Sequence, residues 1–161
     1  MGLYDLEVSD LPKRWRSVIT VVPNVDELNR RVAREFADLL EEKTKRNEVL
    51  TVIAPVGPLD YGFFVDEVNR RGLSCENLRT VNMDEYLDDD GNLIPTEHPL
   101  SFRRFMDETF FSRLDPSKRP PPEQIVFPDP ADPDRVTALI DEAGGADICW
   151  AGFGITGHVA F

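Results

Sequence analysis

Cysteine, histidine and positive charge are all scarce in this chain of 161 residues, and each scarcity narrows what it can do. The 2 cysteines, Cys75 and Cys149, stand far apart in unrelated contexts. They offer neither a disulfide framework nor a C-x-x-C metal spacing, and both are expected simply to pack. Lys and Arg number 18 against 30 Asp and Glu, a formal net charge of −12. That balance argues against a nucleic-acid partner, because a phosphate backbone is held mainly by clustered cations. A small anion stays compatible with it, since a few backbone amides and one or two local cations can hold a phosphate against an unfavourable global field. Nowhere does an apolar run approach the roughly 20 residues of a membrane helix. The N-terminal MGLYDLEVSD also lacks the basic-then-apolar layout of a secretory signal. No membrane partner is expected, and the expected location is the cytoplasm.

What is present is 41% apolar residues, enough for the core of one domain, and short apolar runs alternating with amphipathic segments. SVITVV at 17–22 reads as a strand. After the Pro23-Asn24 break, Val25, Leu28, Val32, Phe36, Leu39 and Leu40 keep to one face of a helix over 25–45. Strands are expected at 49–54, 78–83, 124–127 and 146–151, with helices through Phe63, Phe64, Val68 and Gly72, over 100–114 and over 133–143. Such alternation implies parallel strands joined by right-handed crossovers, so the expected fold is a three-layer Rossmann-like α/β sandwich with a mainly parallel sheet. Ligands bind such sheets beyond the carboxyl ends of the strands. Three loops lie there: 54–60, 84–92 and 152–158.

Gly152, Gly154 and Gly157 let the last of these loops turn tightly and expose amides to a ligand. A dinucleotide fingerprint does not fit, because no complete βαβ unit follows. His158, just after the glycines, could shuttle a proton near neutral pH or could be bonded to nearby backbone. His98, before a helix start, reads as a capping or packing residue. Asp84 and Glu85 follow an apolar strand, and since adjacent residues of an extended segment point to opposite sides, only one can face a pocket. Burial there would raise a carboxyl pKa toward a value useful to a general base; the alternative is that the pair caps or solvates the strand end. Residues 86–97 fail as a calcium loop because Tyr86 occupies the first position, where a carboxylate is required.

Taken together, these loops carry a resemblance. Val81-Asn82-Met83-Asp84-Glu85-Tyr86, followed by Glu97-His98-Pro99-Leu100-Ser101-Phe102, resembles the M-D-E-Y strand end and E-H-P-x-S-[YF] segment of the glucosamine-6-phosphate deaminase/isomerase family. Gly152 to Phe161 resembles that family's G-x-G-x-D-G-H-[IV]-A-F loop. The related 6-phosphogluconolactonases share the fold and a similar Gly-His loop. The resemblance implies the three-layer sandwich that these isomerases share with CoA-transferase-like proteins. It also implies conversion of an amino sugar phosphate to a ketose phosphate with loss of ammonia. The residue matching Asp84 would move a proton between C2 and C1, and the one matching His158 would help open the sugar ring. Val56, Gly57, Glu85, Gly152, Gly154, Thr156 and Gly157 would contact the substrate, and no metal or other cofactor would be needed.

Three departures from the family pattern accompany the likeness. Thr156 stands where the family has Asp, removing a charge that would hold an imidazolium. The family's P-T-G-G-T-P phosphate loop is here Pro55-Val56-Gly57-Pro58-Leu59-Asp60, without its hydroxyls, with an extra proline and a nearby negative charge. Weaker phosphate binding is expected, or a substrate carrying no phosphate at that point. The chain also ends at Phe161, so the domain is expected to be incomplete at its C-terminus. An exposed half-sheet would need covering, and a homo-oligomer is one way to supply it. The rival readings are a same-fold enzyme acting on a different sugar or a sugar lactone, and a non-catalytic sugar-binding sensor.

Overall fold

In the computed structural model, which describes residues 7–154 and 156–157, a single helical turn, α1 (Lys13–Arg16), leads through an irregular stretch into the long helix α2 (Val25–Lys45). The Asn24 side chain starts α2 by accepting the Glu27 amide at 2.8 Å. Asp26 and Glu27 occupy its first turn and Lys43 and Lys45 its last, so both ends complement the helix dipole. Ala33, Phe36, Ala37 and Leu40 form its buried apolar stripe; of the expected face, Phe36 and Leu40 are buried and Val32 and Leu39 partly so, whereas Val25 and Leu28 are exposed because the first turns of α2 run beyond the sheet. Then follow β1 (Leu50–Ala54), α3 (Tyr61–Arg71), β2 (Leu78–Asn82), α4 (Phe102–Thr109), β3 (Ile125–Val126), α5 (Arg135–Glu142) and β4 (Ile148–Cys149). Gly72 ends α3 in the left-handed conformation, with φ +66°, which a side chain would strain.

The four strands form one all-parallel sheet in the order β3-β2-β1-β4. The chain therefore steps outward from β1 to β2 and β3, then reverses to lay β4 on the other flank of β1. One face of the sheet, with Leu50, Val52, Ala54 and Leu78, packs against Phe36, Leu40, Phe64 and Val68 of α2 and α3. Met106 and Phe110 extend that core. Its rings interlock: Phe64 meets Trp150 at 5.1 Å and Phe36 at 5.4 Å, and Tyr61 meets Phe110 at 5.5 Å between centroids. Such pairs contribute about 0.5–1.5 kcal/mol each beyond their buried area. On the other face, α5 stands off from Ile53, Val81 and Cys149 across an apolar groove of about 720 Å³.

The expected helices and the last four expected strands are present, with shorter outer strands and with the 100–114 helix giving way to a 3-10 turn at Phe111–Arg113. The expected strand at 17–22 is not: Ser17 closes the α1 turn and residues 18–22 pair with no described strand. Val18 and Val21 are 74% and 73% exposed. A β-branched run favours a pleated, half-buried surface, and without a neighbouring strand to provide one it takes no regular structure and leaves Val18 and Val21 in solvent. No helix among the described residues is long and apolar enough to cross a membrane.

Candidate active site

Because β2, β1 and β4 are adjacent, the loops that leave their carboxyl ends are neighbours, although the sequence separates them widely. The Met83 amide donates to the Ala54 carbonyl at 3.2 Å and the Trp150 amide to the Ile53 carbonyl at 3.1 Å, so pairing continues to the strand tips. Strands so spaced put the tips of β2 and β4 roughly 10 Å apart, with the β1 loop between them. The strand order reverses at β1 and β4, and doubly wound sheets bind ligands beyond the carboxyl ends of the strands at such a point.

The central loop, 55–60, is pinned at both ends. The buried Tyr61 hydroxyl donates to the Pro55 carbonyl, and the Asp60 amide donates to Oδ1 of the buried Asn29 at 3.1 Å. Val56 turns its side chain into the core, so only its backbone is offered at the edge, whereas Gly57 is exposed. The Asp60 carboxylate accepts the Gly62 amide at 2.8 Å as the N-cap of α3. The end of α3 where an external anion would be drawn is thus already supplied with a negative charge from the chain itself.

The two acidic residues at the tip of β2 have different surroundings. Asp84 is half-buried and its carboxylate accepts no hydrogen bond among the described residues. Burial, and then the charge of Glu85, push its carboxyl above the ordinary value. Glu85 has a fully buried side chain ion-paired with Arg103 at 3.0 Å. Burial pushes its carboxyl up, but the amides of Arg103, Phe102 and Tyr86 and the Arg103 guanidinium outweigh this and hold it below the ordinary range. Beyond the tip, Asp88 accepts the amides of Asp90 and Asn92, making 88–92 a polar turn. His98 accepts the Leu100 amide through Nδ1 at 3.1 Å, closing a local turn ahead of α4, whose cap is Ser101.

Beside β4, Gly152 lies against the 55–60 loop, where a Cβ would meet Pro58 Cδ at 3.7 Å. The Gly157 amide closes a turn on the Gly154 carbonyl at 2.8 Å, and Gly157, at φ +83°, holds a conformation that favours glycine. Thr156 is exposed on this turn, and Phe153 is 87% exposed. His158 lies outside the described residues. The structure therefore brings Asp84, the 55–60 loop and Gly152 to one edge, and commits the Glu85 carboxylate to the start of α4.

Asn29 and Arg103, which shape this edge, were not singled out from the sequence, and Asn82 and Ser101 were named only within the motifs, without a role. Ser101 immediately before an amphipathic run, and Asp60 before Tyr61, are N-cap signals in their own right. The Asn82 side chain donates to the Val126 carbonyl at 3.2 Å, tying β2 to β3, while its Oδ1 meets no donor among the described residues. Nothing local in the sequence announces that contact.

This arrangement is a parallel α/β sheet with reversed strand order and an unpartnered carboxylate at its carboxyl edge, the side on which such sheets bind ligands. Among proteins of known kind, the chain is 31% identical to glucosamine-6-phosphate deaminase of Clostridium beijerinckii over 146 residues, which cover 89% of this chain and 57% of the relative. A monomeric glucosamine-6-phosphate deaminase of solved structure superposes with a TM-score of 0.71 at 26% identity, covering 86% of this chain and 56% of that one. The 6-phosphogluconolactonase of Thermotoga maritima, at 20% identity and a TM-score of 0.60, shares the fold over 88% of this chain and 61% of its own. No protein-family model matches. The chain belongs to the glucosamine-6-phosphate deaminase family, related in fold to the 6-phosphogluconolactonases, and spans about half the length of the curated relatives it matches.

Proposed function

We propose that this chain carries the catalytic edge of an enzyme that isomerises an amino sugar phosphate to a ketose phosphate and releases ammonia, with Asp84 as the general base. The observation behind it is the Asp84 carboxylate: half-buried, without a hydrogen-bond donor, and raised in pKa at the carboxyl edge of the sheet. A carboxylate so placed can take a proton from C2 of an open-chain amino sugar and return it to C1 on the same face through an enolamine, leaving a C2 iminium that water hydrolyses to the ketose and ammonia. The exposed backbone at Gly57, Gly152 and Gly157 leaves room for the sugar and its phosphate to approach amides. His158 is assigned the opening of the sugar ring by its position in the family's loop.

The test is release of ammonia and ketose phosphate from glucosamine 6-phosphate by the full protein. Asp84→Asn should lower kcat by about 10²- to 10⁴-fold, the range of general acid–base contributions, and full turnover by that variant would refute the assignment. Binding of the sugar phosphate without conversion would favour a sensor.

A second reading has one observation on its side, the Asp60 carboxylate on the first turn of α3. A negative charge there repels a phosphate, which favours a substrate that carries none at this loop. Comparison of amino sugars with and without the phosphate separates the two, and preference for the unphosphorylated sugar would select the second.

A further inference from the structure

The excursion between β2 and α4 is closed at its neck by one side chain. Oε1 of Glu85 accepts the Phe102 amide at 2.9 Å, the first residue of α4, and the Tyr86 amide at 2.9 Å. Oε2 accepts the Arg103 amide at 2.9 Å, Arg103 Nε at 3.0 Å and the Ser101 hydroxyl at 3.1 Å. Ser101 is itself the N-cap of α4, accepting the Arg104 amide. The Arg103 guanidinium reaches on to the Ile94 carbonyl, so the far limb of the excursion is gathered into the same knot. Every direction in which the Glu85 carboxylate could turn is taken, and its side chain has no solvent exposure.

We propose that Glu85 is a positioning residue, which by binding the N-terminus of α4 and Arg103 locks the tip of β2 and holds the adjoining Asp84 carboxylate over the carboxyl edge; this rests on reading Asp84 as the base. The two residues share a peptide bond, so fixing the side chain and backbone of one restricts the backbone of the other. The contrast of environments supports a division of labour. The donors around Glu85 keep it ionised, and its fixed charge adds to burial in holding the Asp84 carboxyl up. Among the described residues, Glu85 is the charged group acting on Asp84, and Arg103 is the one paired with Glu85.

Glu85→Gln keeps the size of the side chain and removes its charge. In the full protein, with aspartate carboxyl carbons isotopically labelled, the titration of Asp84 followed by NMR should move to lower pH in this variant. With glucosamine 6-phosphate, kcat should fall on the order of tenfold or more while KM changes less, since a displaced base costs reaction rate more than binding. A folded Glu85→Gln protein whose Asp84 midpoint and kcat match the wild type would overturn the proposal, because a merely structural role moves only the melting temperature. Should that variant not fold, Arg103→Met and Arg103→Lys decide: Met should lower kcat and Lys restore part of it, and wild-type kcat in the Met variant overturns the proposal. If instead Asp84→Asn retains turnover, it is the base assignment that fails, and the Asp84 titration in Glu85→Gln still reports whether the two carboxylates are coupled.

Discussion

On the face of the sheet that carries α2 and α3, Leu50, Val52, Ala54 and Leu78 are at most 1% exposed; on the face that carries α5, Thr51 and Val81 are buried too, but Ile53 stays half-buried, Cys149 is exposed and no residue of α5 is buried. The helix ends repeat the difference. Side chains cap α2, α3 and α4 through Asn24, Asp60 and Ser101, whereas Asp134 makes no such bond at the start of α5. Stability is therefore concentrated on one side, and the candidate site leans on that side. Asn29 and Tyr61, which pin the 55–60 loop, both belong to it. The open face contributes access and little rigidity.

The sharpest way to break this contrast is thiol chemistry. Cys75, inside the closed core, has its thiol pushed up to about 12 by burial, against an ordinary 9.0. That shift alone cuts the reactive thiolate about a thousandfold at neutral pH. A maleimide should modify Cys149 to completion before peptide mass mapping detects Cys75, and similar rates at both would contradict the packing. Next in size, Phe64→Ala should cost about 3–5 kcal/mol in urea denaturation, while Ile140→Ala, lost from the groove wall, should cost about 1 kcal/mol or less. Equal losses would mean that the groove is as well packed as the core. Cap removal comes third: Asn24→Ala is expected to cost about 1 kcal/mol, and Asp134→Ala to stay within about 0.5 kcal/mol.

The smallest effect concerns the pin that fastens the open-side strand. Asp147, just before β4, accepts the Thr51 amide at 2.9 Å and pairs with Lys43 at 2.7 Å. Burial raises its carboxyl, but Lys43 and the Thr51 amide prevail and leave it below the ordinary value. A carboxyl lowered by folding contributes stability above its unfolded value, about 3.9 for Asp, and that contribution disappears as pH falls through the folded value. The partly exposed pair limits it to about 1 kcal/mol. The melting-temperature difference between wild type and Asp147→Asn should thus be largest at neutral pH and shrink on acidification; a constant difference would assign the pin no ionic part.

Much of the closed face could be read in advance, because helical spacing in 25–45 and the apolar runs at 49–54 and 78–83 are local patterns that packing then reinforced. The segment 17–22 misled for the opposite reason: strand propensity is realised only beside another strand, and pairing is not a local property. At the site, alternation showed that one of Asp84 and Glu85 would face a pocket, yet not which. What the structure adds is that the Glu85 carboxylate is taken by the Ser101 hydroxyl and the amides of Phe102 and Arg103, partners 16 to 18 residues away whose approach depends on the whole excursion. Asp60 was visible as a charge near a phosphate-type loop. Its capping of α3 was equally legible from its place before Tyr61, and the structure shows that role.

The reversal that lays β4 against β1 also bears on the order in which the molecule assembles. Leu50 pairs with Leu78, 28 positions on, whereas the Thr51 amide meets Asp147 across 96. Closing the longer span costs about 1 kcal/mol more in chain entropy, and the two-residue β4 offers few bonds in return. The β1-α3-β2 unit should accordingly form early and the β4 flank last. The candidate edge would then be complete only in the final step of folding, so a chain held up just short of that step would already have most of its core without a finished binding edge.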